Sequence, residues 1–285
     1  MKNKHFIKSP LRYPGGKSKA LKQIIPLIHN FEEFREPMVG GGSVFIYLKQ
    51  IFPNKKFWIN DINKELFLFW RALQLKSHDL IKRLLWINEN KRDGKKLYVR
   101  FNGEVKNMGD FDRAVRFFLL NRITFSGLSE SGGYSEESFK KRFTKSSIFR
   151  LLPVSKLLVG ISVTNRDYEE VVNIPGKNVF IFLDPPYFSK KKSKLYGRNG
   201  KIHEDFDHER FARIMKRCKH RWLITYDDSQ KIRKLFKFAN VYPWKLQYGM
   251  NNYKQEKAKI GKELFITNFK IIELEKTQNG RNKNK

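Results

Sequence analysis

The residues best suited to chemistry are LDPPYF, Leu183 to Phe188. They end VFIFL, Val179 to Leu183, a run of β-formers that reads as a buried strand. Proline has no amide hydrogen to give a ladder, so the strand must stop at Pro185 and Pro186. Asp184 then lies at the carboxyl end of a strand, where open α/β sheets bind their ligands. Its carboxylate and the Pro185 carbonyl can both accept hydrogen bonds from one exocyclic amine. Those bonds draw the nitrogen lone pair out of conjugation and aim it at an electrophilic methyl group. Tyr187 can stack on the base. A base inside a duplex cannot reach such a pocket, so it must be flipped out. No strong general base is needed, because the proton can leave after the methyl group arrives. Asp184, Pro185, Pro186 and Tyr187 are therefore the candidate catalytic set for methylating an aromatic amine. The plainer reading is a rigid turn with Asp184 as a local cap.

A second cluster lies in EPMVGGGSVF, where Gly40 to Gly42 separate a strand from a helix. Glycine allows a tight turn and a close approach of ligand to backbone. The next strand ends at Asn60 and Asp61, and Asp61 follows Gly40 by 21 positions. That is near the ~20 expected of an acid that binds ribose hydroxyls in a βαβ unit. The alternative is a turn with Asp61 capping the following helix. The lysine and hydroxyl pattern of a phosphate loop is absent here, and Glu36 would repel phosphate. An acid there suits a cation. S-adenosylmethionine fits: adenosine with a sulfonium and an amino acid, and no phosphate.

These residues need a scaffold, and the pattern supplies one. EFREPMV, KKFWIN, KLLVGISVTN, NVFIFLD, HRWLITYDD, KLFKFANVYPW and KELFITNFKIIEL each contain a strand. Helices are expected from about Lys17, bent at Pro26, and over GSVFIYLKQIF and NKELFLFWRALQ. The alternation predicts an α/β fold, an open Rossmann-like sheet that is largely parallel. It breaks between residues 71 and 150, where amphipathic helices such as DRAVRFFLLNRITF predict a mainly helical insertion. The catalytic domain is thus discontinuous, residues 1–70 and 151–275, and 276–285 form a basic tail expected to be disordered.

Composition narrows the partner. Lys and Arg number 59 against 28 Asp and Glu, a formal charge of +31. Such a field favours a polyanion, nucleic acid first; codon bias toward lysine is the bland alternative. Cys218 is the only cysteine and the six histidines are scattered, so neither a disulfide nor a metal site is expected. A reducing cytoplasm fits. The N-terminal MKNKHFIKSPLRYPGGK lacks the apolar segment of a signal peptide, and no apolar stretch reaches membrane-spanning length.

RYPGGK, EPMVGGGSVF, NDIN, NRITFSGL, TNRDY and LDPPY occur in the order seen in Dam-type adenine-specific DNA methyltransferases, which the chain resembles from about Ser9 to Phe269. The resemblance implies S-adenosylmethionine-dependent methylation of the adenine 6-amino group in duplex DNA, with residues 71–150 recognising the target. It implies that Tyr13 and Lys17 contact the cofactor. Glu36, Pro37, Gly40 and Gly42 would surround its methionine part, Asp61 its ribose, and Asp167 with Tyr168 its adenine. Asp184 would border both cofactor and base. Met38 stands where the family's glycine motif begins with phenylalanine, and methionine packs similarly. The loop SESGGYSEESFKKRF carries acids where GATC-reading members carry arginines, so the resemblance does not extend to that site.

Asn121, Arg122 and Ser126 are the candidate target contacts, with Lys141 and Arg142 among basic groups able to neutralise phosphates. A second basic run follows Tyr187, at Lys190 to Lys192, Lys194 and Arg198. Asp227 and Asp228 read as caps of the next helix, or as a carboxylate pair. A monomer is expected. The expected setting is restriction–modification or solitary DNA marking; any restriction endonuclease would be a separate chain, since no nuclease motif is visible in this sequence. Transfer to cytosine or RNA, and DNA binding without catalysis, remain competing readings of the residues alone.

Overall fold

The computed structural model describes residues 6–28, 30–90, 93–103, 105, 107–127, 132–188, 206–247 and 260–272. The basic run from Lys190 to Arg198, the tail from residue 276 and most of QYGMNNY lie outside them. Seven strands form one sheet: β1 (Glu33–Glu36), β2 (Lys56–Asn60), β3 (Ser162–Thr164), β4 (Val179–Leu183), β5 (Arg221–Asp227), β6 (Asn240–Gln247) and β7 (Ile260–Thr267). Their order is β3-β2-β1-β4-β5-β7-β6. The first five run parallel, while β7 is antiparallel to both β5 and β6. This is the Rossmann-like sheet expected, with an antiparallel pair at one edge. The carboxyl ends of β1, β2, β4 and β5 therefore share one rim. The antiparallel turn of β7 brings its beginning to that rim too.

Alternation along β4 explains why every residue of it is apolar. Phe180 and Phe182 join one hydrophobic cluster; Val179, Ile181 and Leu183 join the other, on the opposite face. Helices cover both faces: α1 (Leu21–Ile24), α2 (Ser43–Ile51), α3 (Lys64–Leu75), α4 (Ser77–Asn90), α5 (Gly94–Asn102), α6 (Asp110–Ile123), α7 (Glu136–Arg142), α8 (Lys145–Phe149), α9 (Leu151–Leu157), α10 (Tyr168–Asn173), α11 (His208–Arg217) and α12 (Gln230–Leu235).

One expectation needs correction. The continuous helix from Lys17 is instead a 3-10 turn at Lys17–Lys19, the single turn α1, and a second 3-10 turn holding Pro26. Proline removes the amide that would continue the helix. The expected boundary after residue 70 falls inside α3, and the side chains of α4 to α8 share one hydrophobic cluster with the sheet. Among the described residues, no helix is long and apolar enough to cross a membrane.

Candidate active site

The rim of the sheet opens into a cavity of about 430 Å³, within the size range of small-molecule sites. The glycine corner forms one wall. Gly40 and Gly42 adopt φ of +47° and +68°, a region that disfavours any side chain. A Cβ on Gly40 would stand 2.7 Å from the Tyr13 ring, so the corner packs directly against that tyrosine. Asp61, at the end of β2, accepts from the Gly40 amide at 3.0 Å and from the Asn63 amide at 3.0 Å. Asn63, rather than Asp61, caps α3. Asp61 instead ties the corner to the neighbouring strand.

Glu36 ends β1, is buried, and accepts from the Phe45 amide at 3.0 Å. Burial pushes its carboxyl well above the usual range, and the nearby Asp184 and Asp61 push it the same way. Asp167 caps α10 through the Glu169 amide and also lines the cavity. Arg210 of α11 holds Asp167 by two hydrogen bonds of 3.1 Å and lies 5.2 Å from the Tyr168 ring centre.

Asp184 stands where β4 ends, with its side chain 23% exposed. Its Oδ1 accepts from the Thr225 hydroxyl at 2.8 Å, and its Oδ2 from the Lys17 ammonium at 2.6 Å. Lys17 is buried, donates also to the Gly15 carbonyl, and sits 5.0 Å from the Tyr187 ring centre. Tyr187 is buried and donates its phenolic hydrogen to Glu263 at 2.8 Å. Asp227 accepts from the Phe188 amide at 2.9 Å. Asp228 pairs with Arg233, and Ser229 caps α12, so neither acid serves as the expected cap.

The structure thus brings together Tyr13, Lys17, Glu36, Pro37, Gly40, Gly42, Asp61, Asp167, Tyr168 and Asp184 to Tyr187 around one cavity. Thr225, Glu263 and Arg210 were missed. The signal for the first was available: Thr225 is a buried polar residue in the apolar middle of its strand, Trp222 to Tyr226.

The insertion residues divide. Asn121 is buried and turned inward: its amide donates to the carbonyls of Arg12 and Gly127, and its oxygen accepts from the Arg12 amide. It was expected to touch the target; the structure makes it a bracket between the N-terminal motif and the turn at Phe125–Gly127. Arg122 is buried against the Phe118 ring, and its Nε has no hydrogen-bond partner among the described residues. Burial and the neighbouring Arg150, Arg12 and Arg142 push its guanidinium down to about 9. Ser126 lies half-buried in the turn, at φ +54°. Lys141 is exposed and pairs with Glu137, and Arg142 is exposed. Phe125 beside them is 61% exposed, an aromatic that the charge pattern did not single out.

The chemistry of the cavity follows from its lining. Five carboxyl groups (Glu36, Asp61, Asp167, Asp184, Asp207) face it against two cations, Lys17 and Arg210, in a protein of net charge +31. A pocket so acidic suits a cationic ligand with hydroxyls to bind, and the glycine corner leaves room for its backbone approach. S-adenosylmethionine meets both conditions.

The D12 class N6 adenine-specific DNA methyltransferase family model matches residues 13–250. Type II methyltransferase M.MjaIII of Methanocaldococcus jannaschii is 30% identical over 231 residues, covering 74% of this chain and 78% of that protein. Type II methyltransferase M1.LlaDCHI of Lactococcus lactis subsp. cremoris is 24% identical over 290 residues, covering 94% and 98%. The DNA N-6-adenine-methyltransferase of Escherichia phage P1 is 28% identical over 250 residues, covering 81% of this chain and 31% of its own length.

Proposed function

The chain belongs to the D12 class N6 adenine-specific DNA methyltransferase family, and on that premise we propose that Asp184, Pro185, Pro186 and Tyr187 hold a flipped adenine while the cavity behind them holds the methyl donor. As a member of that family it transfers a methyl group from S-adenosylmethionine to the adenine 6-amino group in DNA. Family membership displaces the competing readings of transfer to cytosine or RNA and of binding without catalysis.

The observation that carries the assignment of residues is the doubly held Asp184 carboxylate. Thr225 and Lys17 fix it in one orientation at the strand end. It can then accept one amine hydrogen while the Pro185 carbonyl accepts the other. The bound cofactor supplies the electrophilic methyl. Tyr187 forms the wall against which the base lies. Glu36 and Asp61 favour a cationic, hydroxyl-bearing ligand, and Asp167 with Tyr168 would border its adenine. The N–C bond would form as the donor's methyl–sulfur bond breaks, leaving S-adenosylhomocysteine, and the methylated amine would then lose its extra proton to solvent.

Exposed Lys141 and Arg142 support phosphate contacts, and buried Arg122 with Arg12 and Arg150 adds to the same positive field. We treat 71–150, which holds Lys141 and Ser126, as the target-recognition part. Phe125 could fill the space a flipped base leaves, as inserted apolar side chains do in bent or unstacked duplexes. Likeness to the type II methyltransferases supports a modification role beside a separate restriction endonuclease; a cytoplasmic monomer is the form we propose for it.

The experiment is methyl transfer from labelled S-adenosylmethionine to random-sequence duplex DNA, with product mapped to single bases. Methyladenine confined to one short sequence is the expected result. Methyl groups spread over all adenines, or none on adenine, would refute it.

A further inference from the structure

We infer that Glu263 is a positioning residue for methyl transfer, setting the ring of Tyr187 through the phenolic hydrogen bond. The inference rests on the proposed reading that Tyr187 packs against the target base. Its basis is the register of two strands. Side chains alternate along a strand, so Thr225 and Asp227 of β5 point to the same face. Asp227 is paired across the ladder with Glu263 of antiparallel β7, which puts Glu263 on that face as well. All three side chains therefore meet the loop that leaves β4. They hold it at three successive points: Thr225 on Asp184, Glu263 on Tyr187, and Asp227 on the Phe188 amide.

Glu263 is fully buried and Tyr187 nearly so. A carboxylate in the interior is costly unless hydrogen-bonded. A phenol donating to it makes a charge-assisted bond that fixes ring orientation at its far end. The near end is fixed by the prolines. A base-stacking wall must be held within about 0.5 Å for efficient chemistry. The reversed strand β7 thus delivers a carboxylate that a parallel strand in its place would carry at the opposite rim.

The test compares single-turnover methyl transfer, cofactor affinity, and fluorescence of 2-aminopurine placed at the target base. The variants are Glu263→Gln, Glu263→Leu, Tyr187→Phe, and Tyr187→Phe with Glu263→Leu. Tyr187→Phe and Glu263→Leu should each slow transfer about tenfold, the scale of a lost charge-assisted bond, with cofactor affinity nearly unchanged. Their double variant should be no slower than either. Glu263→Gln, which keeps an acceptor, should restore most of the rate, and 2-aminopurine emission should change with the three slow variants and not with Glu263→Gln. Equal slowing by Glu263→Leu in both backgrounds, or a defect in Glu263→Gln as large, would overturn the inference. Should Glu263→Leu fail to fold, an unchanged transfer rate in Tyr187→Phe would overturn it by itself. Adenine methylation by the unaltered enzyme reports on the underlying reading separately.

Discussion

Cofactor binding should release a proton from Glu36. The residue is buried at the end of β1, and Asp61 and Asp184 lie close enough to raise its pKa further. In the free enzyme Glu36 therefore keeps its proton at pH values where an unfolded chain would lose it. That proton helps the folded state: the contribution is complete below the unfolded pKa and lost as pH rises through the folded one. A bound sulfonium and ammonium favour the ionised form, so binding lowers the pKa and expels the proton. Affinity must then rise with pH between the bound and free pKa values, by up to about tenfold per unit, or ~1.4 kcal/mol. Lys17 is already paired with Asp184, so the opposing acid is partly neutralised and Glu36 remains the group expected to titrate. Calorimetry in two buffers of different ionisation enthalpy counts the protons. S-adenosylmethionine should release a sizeable fraction of one proton, and S-adenosylhomocysteine, without the sulfonium, less. Glu36→Gln should flatten the pH profile and abolish the difference. Equal proton release by Glu36→Gln and the unaltered enzyme would refute the reasoning.

Further expectations concern other residues. Thr225→Val removes the bond to Asp184 Oδ1 while keeping side-chain shape; a charge-assisted bond of ~1.5–3 kcal/mol implies roughly tenfold or more slower transfer, measured in single turnover, with cofactor affinity little changed. Asn121→Ala breaks three hydrogen bonds of a buried side chain, so chemical denaturation should show a loss of ~2–4 kcal/mol, while the mapped target sequence should stay the same. If about six phosphates are neutralised, DNA affinity should fall with a log–log salt slope of ~−5, and exposed Arg142→Met should reduce that slope by about one. A slope unaltered by Arg142→Met would remove Arg142 from the phosphate contacts.

Much of the site was legible because strand ends are legible. Five apolar β-formers followed by Asp-Pro-Pro left Asp184 one place to be, and the interval from Gly40 to Asp61 matched one βαβ unit. Its partners were not legible, because they come from distant segments. Lys17 meets Asp184 across 167 positions, and Tyr187 meets Glu263 across 76. Neither pairing leaves a trace in local spacing. Asn121 was misplaced for a different reason. Polar residues next to aromatics looked like a nucleic-acid face, but Ala114 to Ile123 of α6 are buried without a break. A helix enclosed on all sides turns its polar groups inward. The same burial makes Arg122 unusual, since its charge is enclosed beside other cations rather than paired. Arg210 was overlooked because a single arginine in an amphipathic helix ordinarily marks the solvent side; its partner Asp167 lies 43 positions earlier.

The most direct test of the account compares Asp184→Asn with the unaltered enzyme on one adenine-containing duplex, measuring cofactor affinity and methyl transfer together. The exchange keeps shape and takes away the charge that Lys17 and Thr225 orient. Transfer should fall roughly 100-fold or more while cofactor affinity changes less than about tenfold, the pattern of a group that acts on the reacting amine. Transfer that persists near the original rate, or falls only in step with cofactor affinity, would contradict the claim that Asp184 holds the adenine.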